Sequence, residues 1–300
     1  MKKFLKWLIS YEGVYKEKNG MKSLLKWLIS ALIFYSGALH LYLFILHKIR
    51  PKILVLCYHR IVQELNPSFP SGMETGVNTF KKQLEYLSKN YKVISYQTFI
   101  DYLKQKIPLP SCNLCLLTFD DGWKETYTHA FPLLKKYRLP AIIFLPTSCI
   151  GTEKKEFYPR FGIPEDFVGR PFLNWEEVYL MSSSGLISFG CHTQTHPLLD
   201  EISLEKAMDE ISKPRLKIEE ELHLPARTFA YPKGRWNEKL KEMVEKAGYE
   251  CAFTTKEEFF DLKLSPYLIP RRIVHEGMSI EVSGRFSKSI FAAVINGMFK

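Results

Sequence analysis

Hydrophobic residues along this chain form short runs, and the segments between the runs have a helical period. The runs predict strands at 52–58, 92–95, 114–119, 141–145, 186–191, 228–231 and 251–254. The helical pattern predicts helices at 79–89, 98–104, 125–137, 175–182, 204–222, 238–247 and 279–286, the first with Asn78 as its N-cap. Strands alternating with such helices indicate a parallel sheet. We therefore predict an α/β fold, a distorted (β/α) barrel of about seven strands, in preference to two doubly wound domains.

An apolar segment precedes this region. Residues 27–47 contain no Asp, Glu, Lys or Arg, and a helix of that length crosses a hydrocarbon core of roughly 30 Å. Seven lysines precede the segment, which favours an N-terminus inside the cell and a main domain outside it. A buried helix of a soluble domain is the alternative.

The predicted organisation has four parts and makes the protein a single-pass membrane protein whose main domain is extracytoplasmic. The parts are a cytoplasmic segment (1–26), a transmembrane anchor (27–47), a folded domain (52–286) and a C-terminal tail (287–300). The net charge is +10, but the basic residues are spread along the chain without a basic arm, so we expect no nucleic-acid partner. Residues 151–173 have no clear periodicity and are either a wall of a binding cleft or a disordered insertion.

Polar residues with metal-binding chemistry follow three of the predicted strands. Asp120 and Asp121 end one strand, His192 and His196 follow another, and His59 follows the first. Each motif alone also fits a surface turn or exposed histidines. In a barrel, however, the C-terminal ends of the strands meet at one face. Two histidines and one carboxylate suit catalytic zinc, or iron, cobalt or nickel, so the sequence predicts a metal-dependent hydrolase site.

Two of these motifs resemble those of a known family. TFDDGW at 118–123 and HTQTHP at 192–197 are similar to the first two active-site motifs of the polysaccharide deacetylases, carbohydrate esterase family 4. Three further segments resemble landmarks of the poly-N-acetylglucosamine deacetylases and related membrane-associated enzymes. They are VLCYHRI at 55–61, TFAYPKGRWN at 228–237 and LIPRRIV at 268–274. The resemblance covers roughly 52–286 and implies a distorted (β/α) barrel.

The resemblance also implies roles for individual residues. It makes Asp121, His192 and His196 the ligands of a divalent metal, for which zinc is our first choice, and Asp120 the general base. The branch looks circularly permuted, so its early acid histidine matches His59. His275 is the rival acid because it lies late in the chain, where other family members keep theirs.

The third family motif departs from its usual form. The family often has Arg-x-Pro-Tyr-Gly, whereas this chain has Ala-Tyr-Pro-Lys-Gly at 230–234, without the arginine that orients the base. Arg271 or Arg272 either replaces it or forms a structural salt bridge.

Residues around this motif are candidates for substrate contact. The backbone near Tyr231, Pro232 and Lys233 is predicted to stabilise the oxyanion. The aromatic residues that either stack on sugar rings or belong to the core or rim are Trp123, Trp175, Tyr231 and Trp236.

The predicted function is hydrolysis of N-acetyl groups from N-acetylglucosamine units of a polysaccharide or glycan. Another metal-dependent amidase or esterase on the same barrel would share every site residue. A non-catalytic carbohydrate-binding membrane protein is the third class, motivated by the altered third motif.

Overall fold

A computed structural model describes residues 15–37, 53–70, 72–281 and 283–298. The chain clusters into two units, Met1–Leu46 with Gly277–Lys300, and His47–Glu276. The larger unit, His47–Glu276, contains all of the predicted strands and all of the candidate site residues.

The larger unit is built on a parallel sheet. In chain order, the described strands are β1 (Ile53–Tyr58), β2 (Arg60–Val62), β3 (Glu74–Gly76), β4 (Lys92–Val93), β5 (Leu114–Phe119), β6 (Ala141–Leu145), β7 (Ile187–Cys191), β8 (Thr228–Ala230), β9 (Cys251–Phe253) and β10 (Arg272–Ile273). The sheet order is β10-β1-β5-β6-β7-β8-β9, with β4 beside β5, while β2 and β3 pair separately. All seven predicted strands are confirmed, whereas β2, β3 and β10 were not predicted.

A short segment near the end of the larger unit pairs with strands at both ends of the sheet order. Ile269 pairs with Phe253 of β9, and Arg272 of β10 pairs with Leu56 of β1. The sheet therefore curls as in a (β/α) barrel, which confirms the predicted fold type. Strands β1, β5 and β6 are buried at every position, as expected for a parallel sheet covered by helices.

The described α-helices are α1 (Tyr15–Tyr35), α2 (Val77–Asn90), α3 (Tyr96–Leu103), α4 (Phe131–Tyr137), α5 (Tyr158–Phe161), α6 (Trp175–Ser182), α7 (Leu204–Leu222), α8 (Glu238–Lys246) and α9 (Lys288–Ile295). The predicted helix at 125–137 begins instead with a π-helical turn, Thr126–Ala130, that leads into α4. The segment 151–173 is not a disordered insertion, because it contains a 3-10 turn (Lys155–Phe157) and α5.

Two predictions about helix positions are wrong. Asn78 is not an N-cap, because β3 runs up to Gly76 and the helix begins immediately after it. The predicted helix at 279–286 is replaced by an extended turn in which Ile280 pairs with Phe286. The helix near this end of the chain is α9, which begins after Ser287, whose side chain accepts a hydrogen bond from the Ile290 amide.

In the smaller unit, α1 packs against α9. The predicted tail at 287–300 therefore contains a helix, and the residues of α9 after Lys288 are buried because they are almost all apolar. Among the described residues, no helix is long and apolar enough to cross a membrane. Much of the predicted anchor, 38–47, lies outside the described residues, so the anchor stays a prediction.

Gly190 tests the packing of the strand that leads to His192. A Cβ atom at this position would lie 2.4 Å from Thr228 Oγ1 and 2.6 Å from Phe144 Cε1. We expect Gly190→Ala to lower the free energy of unfolding by about 1–3 kcal/mol because overpacking shifts the strand. Urea unfolding measures the loss. Ser188→Ala on the same strand is the control, and equal midpoints for both variants would contradict the prediction.

Candidate active site

The polar residues that follow β5 and β7 meet at one end of the sheet. Asp121 Oδ1 lies 3.4 Å from His192 Nε2 and 3.5 Å from His196 Nε2. All three side chains are buried, and one ligand atom of each lies within 4.8 Å of the other two. The structure thus brings together the three residues predicted as metal ligands.

The backbone turns sharply where β5 ends. Asp121 has φ +71° and Gly122 has φ +62°, a left-handed conformation that suits glycine and is uncommon for other residues. A Cβ atom on Gly122 would also lie 3.0 Å from the side chains of Leu145 and Ile150. The glycine therefore permits the turn that separates the directions of the two neighbouring carboxylates.

Trp123 holds the second oxygen of Asp121. Its Nε1–H donates to Asp121 Oδ2 at 3.0 Å, which leaves Oδ1 facing the two histidines. The indole is fully buried against Phe161 and Phe172. Trp123 therefore orients the carboxylate of Asp121 and is a core residue, not a platform for sugar rings.

His192 is oriented by the backbone of the neighbouring strand. Its Nδ1 lies 2.7 Å from the carbonyl oxygen of Ala230. Because a carbonyl only accepts hydrogen bonds, Nδ1 carries the proton, and the lone pair of a neutral ring is then on Nε2, towards Asp121.

Arg271 pairs with Asp120 and resolves the question left by the altered third motif. The fully buried guanidinium donates from Nη1 to Asp120 Oδ1 at 2.6 Å and from Nη2 to Oδ2 at 2.7 Å. The Cys57 thiol donates to Asp120 Oδ2 at 3.4 Å. Arg272 instead lies 3.7 Å from Glu257. The arginine that orients Asp120 therefore comes from the residue just before β10.

The charges around the two carboxylates keep both ionised. Burial alone would raise the pKa of Asp120, but Arg271, helped by His192 and His59, holds it well below its usual range. Burial also opposes ionisation of Asp121, yet the neighbouring imidazoles of His192 and His196 lower its pKa.

The pKa values of the two candidate ligand histidines are shifted in opposite directions. Burial is the largest influence on His196 and lowers its pKa to about 3. Burial acts in the same direction on His192, but Asp120 and Asp121 outweigh it and raise the pKa of that imidazole. The carboxylates thus favour a positive charge at this position, and a bound cation supplies such a charge.

His59 lies at the end of β1, beside the base candidate. One of its ring nitrogens is within 4.8 Å of a carboxylate oxygen of Asp120 and of the Cys57 sulfur. His275 lies beside Gly72, 3.8 Å from the position of a Cβ atom there. Of the two acid candidates, His59 is the one that the described structure places in a cluster with Asp120.

The structure reduces the three backbone positions that were predicted to stabilise the oxyanion to one. The Tyr231 amide already donates to the Phe253 carbonyl at 3.0 Å, and Pro232 has no N–H. Lys233 has φ +52° and an exposed side chain. Its amide is therefore the remaining donor of the three predicted positions.

A cavity of about 340 Å³ opens beside the cluster of candidate metal ligands. Its lining includes His196, Lys233, Arg160 and Leu198. The segment 151–173 contributes Arg160 to this lining, as a wall of a binding cleft would. None of the aromatic residues considered as platforms for sugar rings is part of the lining. Tyr231 is fully buried, Trp175 is half-buried, and Trp236 is 38% exposed.

Known proteins resemble this chain in sequence and in fold. The polysaccharide deacetylase family model matches residues 110–252, which include Asp120, Asp121, His192 and His196. The YxkH protein of Bacillus subtilis is 27% identical over 240 residues, which cover 80% of this chain and 77% of that protein. The poly-β-1,6-N-acetyl-D-glucosamine N-deacetylase of Staphylococcus aureus is 26% identical over 242 residues, with 74% and 79% covered.

A solved structure supports the same assignment. IcaB from Ammonifex degensii superposes with a TM-score of 0.64 at 26% identity, covering 75% of this chain and 93% of that one. In sequence and in fold, the chain is therefore similar to the polysaccharide deacetylases, carbohydrate esterase family 4.

Proposed function

We propose that this protein hydrolyses N-acetyl groups from N-acetylglucosamine units of a polysaccharide, with a divalent metal at Asp121, His192 and His196. The observation that carries the proposal is the position of Asp120, which Arg271 holds in a bidentate pair next to this cluster. A carboxylate that lies beside three metal-ligating side chains, without itself being a ligand, is the arrangement that metal-assisted hydrolysis requires. The family and the names of the relatives support the substrate class.

The donor set fits a catalytic metal. One carboxylate oxygen and two imidazole nitrogens converge within 4.8 Å, which leaves coordination positions for water and substrate. The hydrogen bond between His192 and Ala230 directs a lone pair towards Asp121. Zinc is our first choice, and iron, cobalt and nickel accept the same ligands. When bound, such a metal polarises the acetamide oxygen and lowers the pKa of water.

Asp120 is the proposed general base. It is buried and ionised, and its Oδ2 lies 3.9 Å from His192 Nε2, so it borders the ligand cluster without belonging to it. From there it takes a proton from the water that attacks the acetamide carbon. Arg271 keeps the carboxylate in one orientation throughout.

His59 is the proposed general acid. The C–N bond of the acetamide breaks as the amine leaves, and His59 supplies the proton that the amine needs. The Lys233 amide donates to the developing oxyanion. The cavity beside His196 and Lys233 accommodates the sugar unit.

An acetate-release assay tests the proposed function. We expect the full-length protein to release acetate from poly-β-1,6-N-acetylglucosamine or chitooligosaccharide, but not from acetylxylan. Dialysis against a chelator should abolish the release, because it removes the cation from Asp121, His192 and His196. Added zinc should occupy these ligands again and restore the release. Release from acetylxylan alone would point to an esterase. A metal-free, inert protein that still bound glycan would favour a carbohydrate-binding role.

Asp120→Asn tests the base. We expect kcat to fall by a factor on the order of 10²–10⁴ because the amide cannot accept the proton. Zinc affinity should stay near the wild-type value since Asp121 and the histidines remain. Asp101→Asn, on α3, is the control. Wild-type turnover by Asp120→Asn would show that another group is the base.

Arg271→Lys tests the ion pair. The wild-type pair lowers the pKa of Asp120, so activity should fall only at a pH below the usual carboxylate range. Lysine keeps the charge but loses the bidentate geometry, so the pKa should rise and the acidic limb of kcat/KM should move to higher pH. Arg272→Lys at the adjacent position should leave that limb unchanged. Identical pH profiles for the two variants would refute the role of Arg271.

A further inference from the structure

The two ligand histidines are held in different ways. His192 is fixed through the hydrogen bond from Nδ1 to the Ala230 carbonyl. The Nδ1 atom of His196 is buried and has no hydrogen-bond partner among the described residues. Metal-ligating histidines usually donate from their second ring nitrogen to a fixed acceptor. Contacts of another kind must therefore set the direction of the His196 ring.

The loop that carries His196 is strained. Thr193 has φ +64° and His196 has φ +58°, and a left-handed conformation is particularly unfavourable for a β-branched residue such as threonine. Strained residues of this kind persist only where the surrounding contacts hold them. The contacts of this loop therefore determine where His196 points.

Glu210 of α7 supplies three of these contacts. Its Oε2 accepts from the amides of Gln194 and Thr195, each at 2.8 Å, and its Oε1 accepts from Thr195 Oγ1 at 2.6 Å. One carboxylate thus holds the two residues that immediately precede His196. No ligand atom of the metal cluster is among its contacts in the described structure.

Helix α5 holds the loop from another direction. Arg160 Nη1 donates to the carbonyl and the hydroxyl of Thr195, both at 2.5 Å. The ring of Phe161 stacks on the His196 imidazole, with 4.5 Å between centroids and 28° between planes. The irregular segment 151–173 therefore places two consecutive side chains on the loop.

We propose that Glu210, together with Arg160 and Phe161, positions His196 as a metal ligand. Glu210 and Arg160 fix the backbone, and Phe161 fixes the plane of the ring. These are positioning residues that act through the loop. The inference rests on the proposed function, since it takes His196 to be a ligand.

Glu210→Ala and Glu210→Gln test the proposal in the full-length protein, with Asp209→Asn on the same helix as control. Competition with a chelator measures the zinc dissociation constant. We expect Glu210→Ala to raise it by about 10–100-fold. Glu210→Gln should raise it less, because the amide oxygen still accepts from the two backbone amides. Asp209→Asn, which removes only an exposed ion pair with Lys213, should stay near wild type.

Imidazole NMR of the metal-free protein gives a readout that does not depend on activity. We expect the His196 ring signals to shift or broaden in Glu210→Ala and Phe161→Leu, while the His192 signals stay in place. Unchanged His196 signals and zinc affinity, or equal effects on both histidines, would overturn the proposal. If Glu210→Ala fails to fold, Glu210→Gln and Phe161→Leu decide by the same criteria.

The proposal and the proposed function fail in distinguishable ways. A wild-type protein that binds zinc without releasing acetate would contradict the proposed function and leave the zinc and NMR comparison valid. A wild-type protein that binds no zinc would contradict the metal site, and the His196 signals would still decide whether the loop contacts orient the ring.

Discussion

Two adjacent carboxylates are buried at the end of one strand, and each needs its own partners to offset the free-energy cost of burying its charge. An ionised carboxylate is costly to bury unless it is paired and hydrogen-bonded. For Asp120, Arg271 provides both the opposite charge and the hydrogen bonds. Asp121 receives a hydrogen bond from Trp123 and faces His192 and His196. The backbone turn at Gly122 lets the two side chains reach these separate partners.

This requirement links the site to the closure of the sheet. Arg271 lies between Ile269, which pairs with β9, and β10, which pairs with β1. The guanidinium donates from Nε to the carbonyl of Thr254, which follows β9, at 3.1 Å. The same group pairs with Asp120, which follows β5. The segment that joins the two strands therefore also delivers the cation to Asp120.

The surroundings of Asp121 depend on a second buried cation. Arg60 lies 2.6 Å from Glu74 and also pairs with Glu125. Its guanidinium stacks over Phe69 at 3.8 Å, and Phe69 contacts Trp123. This places the β2–β3 pair against the aromatic cluster that holds the indole. The cluster includes Phe161, whose ring stacks on His196, so the same packing extends to the loop that carries His196.

The amino-acid sequence by itself determined seven strands of the main sheet and the three candidate ligands, because apolar runs and strand-end carboxylates and histidines are local patterns. It did not reveal β10, since two residues have no periodicity. Only the tertiary structure decided between Arg271 and Arg272, because neighbours on an extended segment point to opposite faces. It also decided the contacts of Trp123 and Glu210. Their partners in space are set by packing, which spacing along the chain does not encode.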